Sequence, residues 1–140
     1  AEGFALECRA MKRVREAIPT VRAHELIELW LTAPVLDGTR GALPTVAGVS
    51  QGSVISPQLT NLYLHTFDRA ITTLLLGATL VRFADDFVIL CGTKMAAHSA
   101  HFLARQTLAG MGLKLNPAKT RIVHVREGVE FLGQQLRINP

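Results

Sequence analysis

Two adjacent carboxylates, Asp85 and Asp86, interrupt an apolar stretch that predicts a β-hairpin. Residues 80–83 are predicted to form the first strand and residues 87–90 the second, with Ala84, Asp85 and Asp86 between them. Neighbouring carboxylates repel each other, so the pattern requires a compensating positive charge. A divalent cation is the simplest candidate, because hard ions such as Mg²⁺ prefer carboxylate oxygens and suit sites that also hold phosphates.

The same two residues are also compatible with a solvated acidic turn that has no chemical role. Two-residue hairpin turns favour Asn-Gly or Asp-Gly, because the turn requires positive φ, and Asp-Asp is a poorer choice. Residue type alone therefore leaves the metal site and the inert turn as equal alternatives.

Other polar positions flank predicted helices and turns. Gln51-Gly52 lies in a loop just before Ser56-Pro57, which predicts a helix start because Ser caps free amides and Pro fits the first helical position. Asn61 falls one turn into that helix, and Lys119 follows the predicted turn at Asn116-Pro117. The ordinary interpretation of Gln51-Gly52 is a cap and a turn, and that of Lys119 is a solvated surface lysine.

Periodicity and chain breakers predict the elements that must position these residues. The segment 33–52, rich in Pro and Gly, indicates a hairpin or loop. In the second helix, Leu26, Leu29 and Trp30 are predicted to face inward. The order of elements predicts an α+β fold, an antiparallel sheet packed against helices, in one domain spanning residues 1–140. Helices are predicted at about residues 7–18, 21–32, 56–76 and 94–111, and further strands at 120–125, 129–132 and 135–138.

Composition narrows the class of protein. Of the 140 residues, 49% are hydrophobic and 19% are charged, which fits a globular unit and excludes a disordered tail. Fifteen Lys and Arg against eleven Asp and Glu give a net charge of +4, which is compatible with a phosphate-rich partner. Many globular domains carry this charge without touching nucleic acid. The most apolar run, residues 71–81, is too short to span a bilayer.

Cysteine and histidine usage argues against a soft-metal site. Cys8 and Cys91 lie far apart and outside any Cys-x-x-Cys pair, which favours reduced thiols in a cytoplasmic protein. His98 and His101 are three residues apart on a predicted helix, a spacing that suits a metal. Because no third ligand lies in that segment, ordinary surface histidines are the favoured interpretation.

Four blocks, taken in order along the chain, resemble motifs of the reverse transcriptases. Phe83-Ala84-Asp85-Asp86 is similar to the family's Tyr-x-Asp-Asp motif, with Phe in place of Tyr. Residues 48–57 together with Asn61 resemble its Gln-Gly…Ser-Pro block, and residues 112–120 resemble the block that follows. Residues 131–133 resemble the hairpin called the primer grip. The closest pattern is that of bacterial group II intron-like enzymes, a lineage that includes CRISPR-associated reverse transcriptases.

This resemblance implies the palm of a right-hand polymerase that uses an RNA template, a DNA or RNA primer, deoxynucleoside triphosphates and two Mg²⁺ ions. Asp85 is then expected to be the main metal ligand, and Asp86 a second ligand or a support for the hairpin. Lys119 is expected to approach the triphosphate and assist the leaving group, with a surface lysine as the equal alternative. Contacts to the nucleotide or template are implied for Gln51, Gly52, Asn61 and Phe83. Positioning of the primer end is implied for Phe131, Leu132 and Gly133.

The sequence also departs from the family pattern, which requires a third carboxylate on a strand before the first helix. Glu2 and Glu7 are the nearby acids, and neither follows an apolar strand. We therefore expect the strand with the first aspartate, the fingers and the thumb to lie outside residues 1–140, and the isolated chain to be inactive. The alternatives are a catalytically dead, nucleic-acid-binding palm remnant and a structural remnant without a partner.

Overall fold

The structure, a computed structural model, describes residues 11–37, 41–43 and 56–137. These residues form four helices and three antiparallel hairpins, so the predicted α+β class is confirmed. The helices are α1 (residues 11–17), α2 (Val21–Thr32), α3 (Ser56–Leu74) and α4 (Lys94–Gly110). The strands are β1 (Val35–Asp37), β2 (Gly41–Leu43), β3 (Thr79–Phe83), β4 (Asp86–Leu90), β5 (Val129–Phe131) and β6 (Gln134–Leu136).

The chain divides into two compact units, Ala1–Leu64 and His65–Pro140, and the boundary falls within α3. In the described part of the chain, each strand pairs only with its neighbour in sequence, which gives three two-stranded sheets. None of the described helices combines the length and the apolarity that a membrane crossing requires.

The core of the first unit is a small apolar cluster. Its buried members are Met11, Val14, Ile27, Leu31 and Leu59. Residues three or four apart share one helix face, and for this reason α1 and α2 each contribute a pair. Pro19 prevents α1 from continuing, because it has no amide hydrogen to donate. In the turn that follows, the His24 ring donates from Nε2 to the Ile18 carbonyl at 2.6 Å.

The prediction of which side of α2 faces inward was wrong. Leu26, Leu29 and Trp30 are exposed, whereas Ile27 and Leu31 are buried. Helix α2 has more apolar residues than one face can bury, so periodicity alone leaves the buried side ambiguous. The apolar cluster of the first unit packs against the side of α2 that carries Ile27 and Leu31, and this packing determines which side is buried.

The second unit buries one side of α3 and one side of α4. Phe67 and Ile71 of α3 are almost inaccessible to solvent. The Phe67 ring lies 4.9 Å from the Phe87 ring of β4, measured between centroids, at an interplanar angle of 55°. Tilted rings at this distance attract each other edge to face, in addition to the apolar area that they bury. The buried residues of α4 are Ala100, Ala104 and Leu108, and α4 contacts β4.

Local signals define both ends of α4. Thr93 precedes the helix, and its hydroxyl accepts a hydrogen bond from the Ala96 amide at 3.1 Å. At the other end, Gly112 has φ +81°, which only glycine adopts without strain. The Gly112 amide donates to the Ala109 carbonyl and the Leu113 amide to the Leu108 carbonyl, as in a Schellman motif. The predicted helix at residues 94–111 is thus confirmed to within one residue.

One predicted strand is absent. Residues 120–124 belong to no helix or strand, and a turn follows at residues 125–127. A strand is defined by hydrogen bonds to a partner, and alternating β-branched residues do not provide that partner. The predicted terminal strand pair is confirmed. Its first strand ends at Phe131, one residue before the predicted end, and its second strand covers Gln134–Leu136 where residues 135–138 were predicted.

The Phe67 contact leads to a first prediction. Phe67→Ala should lower the free energy of unfolding by about 3–5 kcal/mol, because it removes a fully buried ring and leaves a cavity. Chemical denaturation of both proteins measures this difference. Leu76→Ala, at a highly exposed position, is the control and should change stability by less than about 0.5 kcal/mol. Equal losses in the two variants would contradict the assignment of Phe67 to the core.

Candidate active site

The end of the β3–β4 hairpin holds both aspartates. The register pairs Phe83 with Asp86, so Ala84 and Asp85 are the two central residues of the turn. This corrects the expectation that Asp85 and Asp86 both lie between the strands, because Asp86 is the first residue of β4. Ala84 has φ +53°, a conformation that costs an L-residue roughly 1–2 kcal/mol.

An arginine fork holds this turn in place. Arg82 Nε donates to Asp68 Oδ1 at 2.7 Å, and Arg82 Nη2 donates to Asp68 Oδ2 at 2.6 Å. The third nitrogen, Nη1, donates to the Ala84 carbonyl at 2.7 Å. The same planar guanidinium therefore binds helix α3 and the strained residue of the turn, a geometry that a lysine ammonium does not reproduce.

The fork is largely shielded from water. The side chain of Arg82 is 10% exposed and that of Asp68 is 27% exposed. The hydrogen bonds to Asp68 raise the pKa of Arg82, while burial lowers it and the opposite charge of Asp68 adds to the increase. The charge of Arg82 is therefore used internally, against Asp68.

Asp85 and Asp86 keep their carboxylates available. Both are exposed, and within the described residues neither side chain takes part in an ion pair or a hydrogen bond. Two adjacent, unengaged carboxylates are hard oxygen donors that fit Mg²⁺. No group of three or more Asp, Glu, His or Cys side chains among the described residues could hold a metal ion, so the two carboxylates form a pair without a third protein ligand in that part of the chain.

The interpretation of the sequence missed Arg82 and Asp68, although a signal was present. Alternation along β3 places Arg82 on the same face as Leu80, which is the side turned toward the protein. A charge at such a position requires a partner, since burying it alone is costly. Asp68 follows the buried Phe67 on α3, but the separation of fourteen residues hides the pairing from a local pattern.

Phe83 and Lys119 occupy exposed positions. Phe83 is 65% exposed, stands opposite Asp86 and has the same outward orientation as Val81. Lys119 lies in a turn built by Asn116, whose side-chain oxygen accepts from the Ala118 amide at 3.0 Å. The Asn116 carbonyl accepts from the amides of residues 119 and 120. The predicted turn is confirmed, and it presents the lysine to solvent.

The hairpin that resembles a primer grip has a turn formed by Leu132 and Gly133. Their φ values are +52° and +74°, and positive φ at both central residues is characteristic of a type I′ turn. Leu132 is exposed and Phe131 is half-buried. A Cβ added at Gly133 would meet nothing within 4 Å, so another molecule has room to approach the backbone there.

The structure brings only part of the predicted site together. Asp85, Asp86 and Phe83 meet at the end of one hairpin, while the β5–β6 hairpin is a separate sheet that does not hydrogen-bond to β3–β4. Asn61 is exposed on the part of α3 that belongs to the first unit, and Gln51-Gly52 lies outside the described residues. Cys91 follows β4, and burial raises the pKa of its thiol, which disfavours the reactive thiolate.

The arginine fork leads to a second prediction. Arg82→Lys should lower the free energy of unfolding by about 1–3 kcal/mol, because it keeps the charge but loses parallel charge-assisted hydrogen bonds. Arg13→Lys is the matched control: its partner Glu16 is on the surface, and such pairs contribute about 0–1 kcal/mol. Urea denaturation compares the two variants with the parent. The importance of the fork would be refuted if Arg82→Lys were as stable as Arg13→Lys.

Comparisons with known proteins show the family to which the chain belongs. A family profile described as "Reverse transcriptase (RNA-dependent DNA polymerase)" matches residues 8–136. Protein YkfC of Escherichia coli (strain K12) is 32% identical over an alignment of 160 residues. That alignment covers 90% of the chain and 42% of YkfC, so the chain spans less than half the length of this curated relative. The matched profile covers nearly the whole chain and includes the Asp85–Asp86 hairpin, and the chain therefore belongs to the reverse transcriptase family.

Proposed function

We propose that residues 1–140 form part of the palm of an RNA-directed DNA polymerase of the group II intron-like lineage. The reaction is transfer of a deoxynucleotide from its triphosphate to a primer 3′-hydroxyl on an RNA template. One observation carries the proposal: the adjacent carboxylates of Asp85 and Asp86 are exposed and unengaged at the end of a hairpin held by Arg82. The family match supports the same conclusion.

Asp85 and Asp86 are the residues that would hold Mg²⁺. The chemistry that two such ions supply is activation of the attacking hydroxyl and neutralisation of the leaving pyrophosphate. Asp85, a central residue of the turn, is proposed as the main ligand. Asp86 begins β4 and is a second ligand or a support for the hairpin.

Arg82 contributes by fixing where these carboxylates lie. Its hydrogen bond to the Ala84 carbonyl restrains the residue immediately before Asp85. Since metal-assisted transfer depends on accurate placement of the reacting groups, a turn that is already ordered before substrate binds lowers the cost of assembling the site. Arg82, which contacts the turn, and Asp68, which holds Arg82, are therefore proposed as positioning residues.

The remaining roles are proposed from the family match and from exposure. Lys119 is exposed on an ordered turn, which suits a cation that neutralises charge on the triphosphate. Phe83 offers an exposed ring beside Asp86 for a nucleotide or template base. The proposed nucleotide and template contacts also include Gln51, Gly52 and Asn61. The proposed primer grip consists of Phe131, Leu132 and Gly133.

The proposal is tested by Asp85→Asn in the complete gene product. This substitution removes a negative ligand while keeping the shape of the side chain. The rate of Mg²⁺-dependent primer extension on an RNA template should fall roughly 10²–10³-fold or more, because several kcal/mol of transition-state stabilisation are lost. Glu127→Gln, which removes a carboxylate in another turn, is the matched control and should keep the parental rate.

Extension by Asp85→Asn near the parental rate would refute the metal-ligand assignment. If the parent bound template and primer but did not extend the primer, the protein would be a catalytically dead nucleic-acid-binding palm. The 140-residue chain assayed alone is expected to give no extension.

A further prediction distinguishes Lys119 from a surface lysine. Lys119→Ala should slow single-turnover incorporation at saturating primer and template, because it removes a positive charge proposed to face the triphosphate. Lys114→Ala, in the same exposed segment, should keep the parental rate. Both variants should unfold within about 0.5 kcal/mol of the parent, as exposed substitutions usually do. Equal rates for Lys119→Ala and the parent would exclude Lys119 from the site.

A further inference from the structure

The distribution of charge after the aspartate pair is strongly one-sided. Between Asp86 and Glu127 the sequence contains no Asp or Glu. The same segment contains six Lys and Arg, and all six are exposed in the structure. They are Lys94, Arg105, Lys114, Lys119, Arg121 and Arg126. An exposed segment that carries basic residues and no acids attracts polyanions.

Helix α4 lies within this segment and has two different faces. Ala100, Ala104 and Leu108 are buried on one side. On the opposite side Phe102 is 61% exposed and Met95 is 80% exposed. These two large apolar side chains are not covered by the part of the chain that the structure describes.

A histidine and an arginine flank the exposed ring. His98 lies four residues before Phe102 and Arg105 three residues after it, so both are its neighbours on the helix surface, and both are exposed. Lys94 lies one turn before His98 on the same side. Among the described residues, neither Lys94 nor Arg105 is in an ion pair, so both charges are available to a ligand. The α4 face is defined here as Lys94, Met95, His98, Phe102 and Arg105.

This combination indicates one class of ligand. An exposed aromatic ring stacks on a nucleobase whatever its sequence, and adjacent cations bind the phosphates on either side. Arginine is well suited to this task, because its fork matches phosphate oxygens. A basic or neutral protein partner would explain Met95 and Phe102 but not the absence of acids from the whole helix.

We propose that the α4 face binds single-stranded nucleic acid, with a base stacked on Phe102 and phosphates held by Arg105 and Lys94. It is the side of α4 opposite to the buried Ala100–Leu108 stripe, and α4 contacts β4. The proposed α4 face includes no residue of the Asp85–Asp86 turn. This proposal adds to the proposed function a second binding site for the nucleic-acid strand. It does not require that the aspartates bind metal.

The test measures binding of a labelled oligouridylate to the complete gene product by fluorescence anisotropy, over about 50–200 mM salt. Phe102→Ala should weaken binding about tenfold, because stacking of one base is lost. Phe102→Trp should restore it. Arg105→Ala should reduce the slope of log affinity against log salt by about 0.7, the value for one phosphate contact on a single strand. Phe102→Ala should leave that slope unchanged.

Matched controls separate this site from general effects. Arg22→Ala makes the same change of charge on an exposed arginine of the first unit and should leave affinity and slope unchanged. A duplex of equal length should bind Phe102→Ala and the parent equally, because its bases are not available for stacking. Oligothymidylate should respond to the variants as oligouridylate does, since neither contact uses the 2′-hydroxyl.

Parental affinity of Phe102→Ala for both single strands would overturn the proposal. So would a loss in Arg22→Ala as large as that in Arg105→Ala, because it would indicate net charge alone. If the parent failed to extend a primer while Phe102→Ala still weakened oligonucleotide binding, that result would count against the polymerase reaction and not against the α4 face.

Discussion

The guanidinium of Arg82 satisfies three acceptors from two separate elements, and the geometry of the candidate site depends on it. Two of its hydrogen bonds go to the Asp68 carboxylate on α3, and one goes to the Ala84 carbonyl in the turn. Ala84 has a positive φ, which is unfavourable for alanine and persists where surrounding contacts over-determine the backbone. The fork supplies such a contact at the residue before Asp85. An ordered turn then holds two like charges side by side.

Apolar packing supports the same junction. Phe87 pairs with Arg82 across the hairpin, and its ring contacts Phe67, the residue that precedes Asp68 on α3. The ion pair and the aromatic contact thus join the same helix to the same hairpin. Deleting a buried phenylalanine side chain costs about 3–5 kcal/mol, and each hydrogen bond to a charged group contributes about 1.5–3 kcal/mol. The two kinds of contact are thus comparable in stability, while the fork also fixes direction, because hydrogen bonds restrain angles that apolar contacts leave free.

Charge separates along the second unit in a way that suits a phosphate-rich ligand. Asp85 lies in the turn and Asp86 begins β4, and the following segment to Arg126 contains no Asp or Glu. Arg82 does not neutralise the aspartates, because its charge is directed to Asp68. The acidic pair thus remains available to cations, while the exposed basic residues remain available to phosphates. The proposed polymerase function would use both properties, which occupy distinct parts of one unit.

The sequence by itself determined the features that are encoded within a few residues. Ser56-Pro57 marked the start of α3, Thr93 and Gly112 bounded α4, and the order of the motifs identified the family. Tertiary structure decided the rest, because those features depend on residues distant in sequence. It selected Ile27 and Leu31 as the buried side of α2, and it left residues 120–124 without a strand partner among the described residues. Tertiary structure also paired Arg82 with Asp68, and it placed Asp86 in β4 where the turn was predicted. Strand register and ion pairing are set by packing between elements and not by local propensity.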